Sequence, residues 1–314
     1  MEIAFLKKPN FDFLGKAKYF IALSLLLVVS GFAVMASRGV RYGVEFEGGT
    51  QLIARFQRAP QVDRVRAAVG PVAPGAVIQN YDDPAKNQVL IRLAATGEKD
   101  LSDLAQGALA ALASSYAENP VLESSSEIVG PVVGAELREK AVKLTVLGLL
   151  FQLVYIAWRF KGAIWGSAAT VAVFHDVLVT LGLLTVFGFD ITLNVIAALL
   201  TLVGYSVNDT IVVFDRVREN LKQRRKDPLA KIINDSVNQT LSRTLISNGT
   251  TFLTVLGLYL FGGEVLRGFS FTMVVGIIVG TYSTIYIASP VVVWWDARKG
   301  GGGASVQATA RAAL

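Results

Sequence analysis

Residues 191–226 read ITLNVIAALLTLVGYSVNDTIVVFDRVRENLKQRRK. The part up to 214 holds one acidic side chain, Asp209, about one turn from its end, and the part after it is crowded with Arg216, Arg218, Lys222, Arg224, Arg225 and Lys226. About 20 mostly apolar residues cross a hydrocarbon core as a helix. The stretch 191–214 therefore reads as a membrane span, its end marked by Asp215 and Arg216. Cytoplasmic loops carry the excess of Lys and Arg, which sets that end in the cytoplasm.

Working outward, five more apolar runs are long enough to span: 19–37, 137–158, 163–187, 243–261 and 267–295. Only a tight turn around Gly188 and Asp190 separates the third span from the fourth. The whole chain agrees with this reading, with 53% hydrophobic and 17% charged residues among 314, where soluble domains carry about 25% charged. Lys7, Lys8, Lys16 and Lys18 precede the first span, Arg159 and Lys161 join the second to the third, and Arg298 and Lys299 follow the sixth. The opposite connections hold only Asp190 in one, and Glu264 and Arg267 in the other. Both termini are thus expected in the cytoplasm: residues 1–18, a loop at 215–242, and a tail at 296–314 whose Gly/Ala/Ser-rich end reads as disordered. Topology accounts for the net charge of +6, so the partner it implies is membrane lipid and not nucleic acid. The first run is too long for a signal peptide, and Ser37-Arg38-Gly39 is a poor cleavage site, so it reads as an uncleaved span. There is no cysteine, and no disulfide is needed outside the membrane.

The segment 38–136 is the one large translocated piece, with nine Lys+Arg against twelve Asp+Glu. Residues 42–56 look strand-like, interrupted at Gly48-Gly49. Val62 to Val69 reads as a short helix closed by Gly70-Pro71. Val77 to Tyr81 and Val89 to Leu93 read as strands joined by the turn Asp82-Asp83-Pro84. Leu101 to Tyr116 reads as a helix capped by Asp100 or Ser102, and Leu122 to Val129 as a last strand. The order βαββαβ implies a small ferredoxin-like α/β domain. After Gly130-Pro131, the charged run Glu136, Arg138, Glu139, Lys140 and Lys143 opens the second span. It reads either as a solvated first turn or as a surface coupling the domain to the spans.

Ionisable side chains in hydrocarbon are costly and mark function. Asp209 is the first. Asn194, Thr201, Tyr205 and Asn208 lie on one stripe of the same helix, with Ser206 near them and Asp209 at the border. A stripe of that length implies a buried, wet interior face, the alternative being a helix-end carboxylate that reaches water. In the fifth span Arg243, Ser247, Thr251 and Thr254 form another stripe, with Thr244 and Asn248 beside it. Arg243 is expected at the depth of Asp209. A guanidinium close to a carboxylate holds it ionised, and its withdrawal lets the carboxyl take a proton. The alternative is an arginine snorkelling to the interface. His175-Asp176, mid-way along the third span, is either a proton relay or a mutually satisfied pair that fixes packing. Gly276-x-x-x-Gly280 in the sixth span is a close-packing signal, for static packing or for sliding helices. No Walker loop, Gly-x-Ser-x-Gly or zinc pattern is present in the sequence, so no catalytic residue, metal or cofactor is expected. The coupling ion would be the proton.

Val207-Asn208-Asp209-Thr210-Ile211-Val212-Val213-Phe214-Asp215-Arg216-Val217-Arg218-Glu219-Asn220 resembles the fourth-span signature of the SecF side of the SecD/SecF protein-export family. Leu241 to Thr244, Ser247 to Thr251 and Phe174 to Val177 are similar to further motifs of that family. Phe46-Glu47-Gly48-Gly49-Thr50 resembles its Gly-Gly-Thr box, with Glu45 where aspartate is usual. The resemblance implies half of a resistance-nodulation-division type permease in a bacterial inner membrane, with a periplasmic domain at 38–136. It implies SecD as the other half, the SecYEG translocon as an associate, and SecA-driven preproteins as the cargo that proton flow helps across. It also aligns Asp209 and Arg243 with the family's proton pathway. Two other functions are compatible with the spans: a stand-alone proton-coupled exporter of small molecules, and a structural scaffold. The single half and an external domain of modest size favour a partnered subunit over the exporter.

Overall fold

The computed structural model describes residues 10–81, 84–94, 101–160, 163–224 and 226–298. Lys7, Lys8, Asp82, Asp83, Asp100, Lys161, Arg225, Lys299 and the tail beyond it lie outside the described residues. Six helical segments are long and apolar enough to cross a membrane. They are α1 (Phe13–Arg38), α5 (Pro131–Phe160), α6 (Ala163–Val186), α7 (Leu193–Gln223), α8 (Leu229–Phe261), and a last span built from α9 (Glu264–Ser283), a π-turn (Thr284–Ala288) and α10 (Ser289–Arg298).

Between α1 and α5 sits the α/β domain. Its elements are α2 (Val44–Glu47), β1 (Gly49–Phe56), α3 (Val62–Val69), β2 (Val77–Tyr81), β3 (Gln88–Ala94), α4 (Leu101–Ser115) and β4 (Val121–Val129). The sheet order is β2-β3-β1-β4, antiparallel throughout, the arrangement of a ferredoxin-like split βαβ unit. Alternation along β1 and β3 puts Leu52, Ala54, Phe56, Val89, Ile91 and Leu93 on the face covered by α3 and α4. Ser102 falls inside the first turn of α4 and so does not cap it.

Two expectations are corrected. The stretch 42–56 is not one interrupted strand: Val44–Glu47 forms the short helix α2 and β1 begins only at Gly49. Gly48 and Gly49 have φ of 73° and 132°, a region closed to most side chains, and the chain passes there from α2 into β1. The stretch 215–242 is not a loop. Helix α7 runs on to Gln223 and α8 starts at Leu229 behind Pro228. These two extensions pack on each other because their inner positions are apolar: Val217, Leu221, Ile232 and Ile233 are buried. Asn220 donates to Ser236 Oγ at 2.8 Å, and Arg224 pairs with Asp235. Asn234 and Asn238 of α8 clasp the backbone of Phe11, which fixes the entry into α1. Asp12 caps α1 by accepting from the Gly15 N–H, so α1 starts ahead of its apolar run. Pro131 opens α5, where its missing N–H costs nothing.

The charged start of α5 divides between its two readings. Glu136–Lys140 and Glu139–Lys143 are exposed i,i+4 pairs at 2.6 and 2.5 Å. Arg138 instead lies over the ring of Tyr42, 5.3 Å from its centroid.

Besides the contact of α2 with α5, the domain is tied to the spans through the α6–α7 loop. Gly43 donates to the Ile191 carbonyl at 2.9 Å, and the Ile191 N–H to that of Arg41 at 2.8 Å. Arg92 of β3 pairs with Asp190 of the same α6–α7 loop, both largely buried. A polar cavity of about 410 Å³ opens beside them, lined also by Glu45, Glu127 and Arg267. Burial pushes the Glu45 carboxyl above the usual carboxylate range and pulls the Arg92 guanidinium below its own.

Helices α1 and α6 meet where Gly31 faces Gly182. A Cβ on Gly31 would lie 2.7 Å from the Gly182 backbone. Replacing Gly182 by Leu is expected to cost about 1–3 kcal/mol as overpacking. Gly257→Ala, where nothing lies within 4 Å, should leave stability unchanged, both read by unfolding of the detergent-purified chain. Arg92→Met strands the Asp190 carboxylate and should cost about 3 kcal/mol. Hydrogen exchange at Arg41 to Gly43 should then quicken, and the double variant Arg92→Met, Asp190→Leu should recover most of the loss.

Candidate functional site

The last span is the most buried of the six and α1 and α5 are the least. It stands among α1, α6, α7 and α8, and it comes close to α7 because its small residues permit it. A Cβ on Gly276 would meet the Leu202 side chain at 2.5 Å, and one on Gly280 would lie 3.3 Å from Ser206 Cβ. The Gly276/Gly280 pair is therefore a close-packing contact with α7.

Asp209 is buried, at 3% exposure. Its hydrogen-bond partner is Asn248 of α8, whose amide donates both to Asp209 Oδ2 and, at 2.7 Å, to Thr281 Oγ1 of α9. The amide oxygen of Asn248 accepts from the Tyr205 hydroxyl at 3.0 Å. Most of the hydrogen-bonding capacity of that amide is used, which suits a buried polar side chain. Arg243 interacts electrostatically with Asp209 but is exposed and makes no ion pair with it among the described residues. The contact expected from Arg243 is thus made by Asn248, farther along α8. Thr244, beside the expected stripe, is buried, and its hydroxyl has no partner among the described residues.

The two polar stripes are corrected as well. Asn194, Thr201 and Asn208 on α7 are exposed, as are Arg243, Ser247 and Thr254 on α8, with Thr251 half-buried. The buried polar face of α7 is instead Ser206, Asp209 and Thr210, spaced three and four residues apart on the side that meets the last span. The expected stripe borders that face and stays open in the single chain. Tyr205 connects the two open edges, its hydroxyl lying 3.3 Å from the Ser247 carbonyl oxygen.

A second polar group lies on α6. His175 Nδ1 and Asp176 Oδ1 are 2.9 Å apart. Asp176 Oδ2 accepts from Ser206 at 2.5 Å and from Ser283 at 2.8 Å. His175 Nε2 lies 3.2 Å from the Tyr282 hydroxyl, which lies 3.1 Å from Ser24 Oγ of α1. Thr210 and Thr284 hydroxyls are 3.0 Å apart. Sequence reasoning missed Ser24, Thr210 and the run Thr281 to Thr284. Four consecutive polar residues inside a span show no helical face, so periodicity does not mark them.

The Gly-Gly-Thr box does not join either group. Phe46 is buried beside α5, and Gly134 of α5 sits so close that a Cβ there would lie 3.0 Å from the Gly48 nitrogen. Thr50 Oγ1 donates to the Leu101 carbonyl at 3.1 Å. These residues position the domain.

Comparison with known proteins places this geometry in a family. The C-terminal region of the protein export membrane proteins SecD/SecF matches residues 109–298, and the SecD/SecF GG motif matches 33–60. The chain is 43% identical to the protein translocase subunit SecF of Calditerrivibrio nitroreducens, over 90% of this chain and 93% of that one. It is 37% identical to that of Koribacter versatilis, over 94% of each. A crystal structure of SecDF from Thermus thermophilus superposes with a TM-score of 0.82 at 39% identity, covering 94% of this chain. A SecDF crystal structure in a super-membrane-facing form gives 0.67 at 41% identity, over 95% of this chain. The chain spans 40% of the length of each SecDF chain.

Replacing Asn248 by Leu leaves Asp209 and Thr281 without their donor. The expected loss is about 1–3 kcal/mol, measured by reversible unfolding in detergent, whereas Ser247→Ala on the exposed stripe should change stability little.

Proposed function

The chain belongs to the SecD/SecF family of protein-export membrane proteins, and we propose that it serves as the SecF half of a translocon accessory complex driven by protons. The observation that carries the proton part is the buried Asp209, held by the Asn248 amide while Arg243 stays nearby without pairing to it. The carboxyl has two alternative partners of different charge. With Asn248 it can carry a proton and remain hydrogen-bonded. Beside the Arg243 guanidinium the ionised form is favoured. Exchange between the two partners moves a proton on and off the site, and it shifts α7 against α8. Asp176 and His175 form a second ionisable pair one helix away. One elementary charge crossing 100 mV is worth about 2.3 kcal/mol, so a few protons per cycle suffice to drive a domain movement.

The open polar stripes of α7 and α8 support a partner within the membrane. Polar side chains facing lipid are unfavourable, and such residues in spans face the interior of a bundle. SecD is the proposed cover, since this chain matches only 40% of the SecDF relative's length and the rest is available to form it. The ion pair of Arg92 with Asp190 and the Gly43–Ile191 backbone contact give helix movements a route to the external domain, where preproteins leave SecYEG after the SecA-driven stage. Arg159, Arg216, Arg218, Lys222 and Arg298 gather at helix ends away from that domain, which supports cytoplasmic termini in an inner membrane.

Proton flux and preprotein export are to be measured in inverted vesicles carrying this chain with SecD and SecYEG. Asp209→Asn and Arg243→Met are each expected to abolish the proton-dependent part of export and the associated flux. Unchanged flux and export would leave a scaffold role; normal export with lost drug resistance would indicate a small-molecule exporter.

A further inference from the structure

The run Thr281-Tyr282-Ser283-Thr284 reaches four neighbours at one level of the bundle. Thr281 accepts from Asn248 at the Asp209 site, and Tyr282 sits between Ser24 of α1 and His175 of α6. Ser283 donates to Asp176, and Thr284 meets Thr210 of α7. Successive residues of a helix point about 100° apart, so four in a row turn through most of a circle. Only a helix with neighbours all round can give such a run its partners, and the last span, with Thr281 and Tyr282 half-buried and Ser283 and Thr284 buried, is that helix. Directly after it the helix widens into the π-turn Thr284–Ala288, where Ser289 Oγ donates to the Thr284 carbonyl at 2.9 Å. Single π-turns within α-helices are frequent at functional sites.

We propose that residues 281–284 are a positioning junction through which proton binding at Asp209 changes the hydrogen bonding of the Asp176–His175 pair and the hold of α1 on the bundle. This rests on Asp209 being a proton site. When Asp209 takes a proton, its new O–H requires an acceptor. The Asn248 amide supplies one by turning over, which withdraws its N–H from Thr281 and its oxygen from Tyr205. Thr281 keeps its bond to the Ile277 carbonyl of its own helix but is released from α8, and α9 turns about the π-turn. The turn carries Tyr282 and Ser283 away from His175 and Asp176 together, because they are adjacent on one rigid helix. No covalent bond between heavy atoms forms or breaks, and the only species moved is the proton. The ionisable groups interacting with the two carboxyls among the described residues are Arg243 from α8, His175 from α6 and Tyr282 from α9.

The test is infrared titration of the protonated carboxyl stretch in the reconstituted complex of this chain with SecD, with bands assigned by Asp209→Asn and Asp176→Asn. Tyr282→Phe removes a hydroxyl whose hydrogen-bond partners are Ser24 and His175. It is expected to move the Asp209 midpoint by about 0.7 pH unit, the low end (about fivefold) of coupling between linked sites. Ser283→Ala should move it likewise, and provides the reading if Tyr282→Phe does not assemble. Thr281→Val should uncouple the sites, so that Tyr282→Phe no longer moves the Asp209 midpoint, and Thr281→Ser should restore the coupling. An Asp209 midpoint untouched by both Tyr282→Phe and Ser283→Ala, while the Asp176 band shifts, overturns the junction and leaves the proton site standing. Absence of any titrating Asp209 band in the unaltered chain overturns the proton site and the junction with it.

Discussion

The close approach of α7 to the last span governs the membrane domain. Without side chains at Gly276 and Gly280, Leu202 and Ser206 come within contact distance of the α9 backbone. That approach brings Ser206 and Ser283 onto the same carboxylate oxygen of Asp176, and it leaves Asn248 able to bridge Asp209 and Thr281. In hydrocarbon there is no water to satisfy polar atoms, and the two carboxylates take hydrogen bonds from side chains on neighbouring helices, while Thr281 and Ser283 also donate to carbonyls of their own helix. Helix packing and the polar site are therefore one constraint: a shift of α9 by a fraction of a turn changes the hydrogen bonding of both carboxyls.

Apolar runs identify all six spans, because about twenty residues without charge have few alternative fates. Their ends are less legible. The density of charge after Asp215 reads as a loop, yet Val217, Leu221, Ile232 and Ile233 recur at helical spacing within it and bury against each other. In the external domain the turn residues and alternation mark the element order, whereas the break between α2 and β1 at Gly48-Gly49 depends on positive φ. Polar residues show which helices matter but not which way they face. Asn194, Thr201 and Asn208 form the longer stripe, while Ser206, Asp209 and Thr210 are the ones buried. A stripe in a sequence gives a direction relative to its own helix, and the neighbour that it meets is set by packing.

The exposed stripes and the buried groups belong to two different kinds of contact. Ser206 and Asp209 are satisfied within the chain. Asn194, Thr201, Asn208 and Thr254 are polar, lie in spans, and are exposed in the single chain. Asn194, Thr201 and Thr254 bond to the Val265, Ala197 and Thr250 carbonyls, so what sets these residues apart is their exposure, which is natural against a second helical half. The same division holds outside the membrane, where the helix-facing side of the sheet is a closed apolar core and β4 is almost wholly exposed.

The external domain is held at the turn that joins the two helices carrying the buried carboxyls. Both its backbone link at Ile191 and its ion pair at Asp190 belong to the turn between α6 and α7. Helix α6 carries His175 and Asp176, and α7 carries Ser206 and Asp209. Each carboxyl is therefore joined to that turn by a continuous helix. At the turn, Arg92 Nε and Asp190 Oδ1 have no hydrogen-bond partner among the described residues, and Glu45 and Arg267 line the adjoining cavity. The buried ion pair thus stands beside further charged groups at the point where the sheet meets the helices that carry both carboxyls.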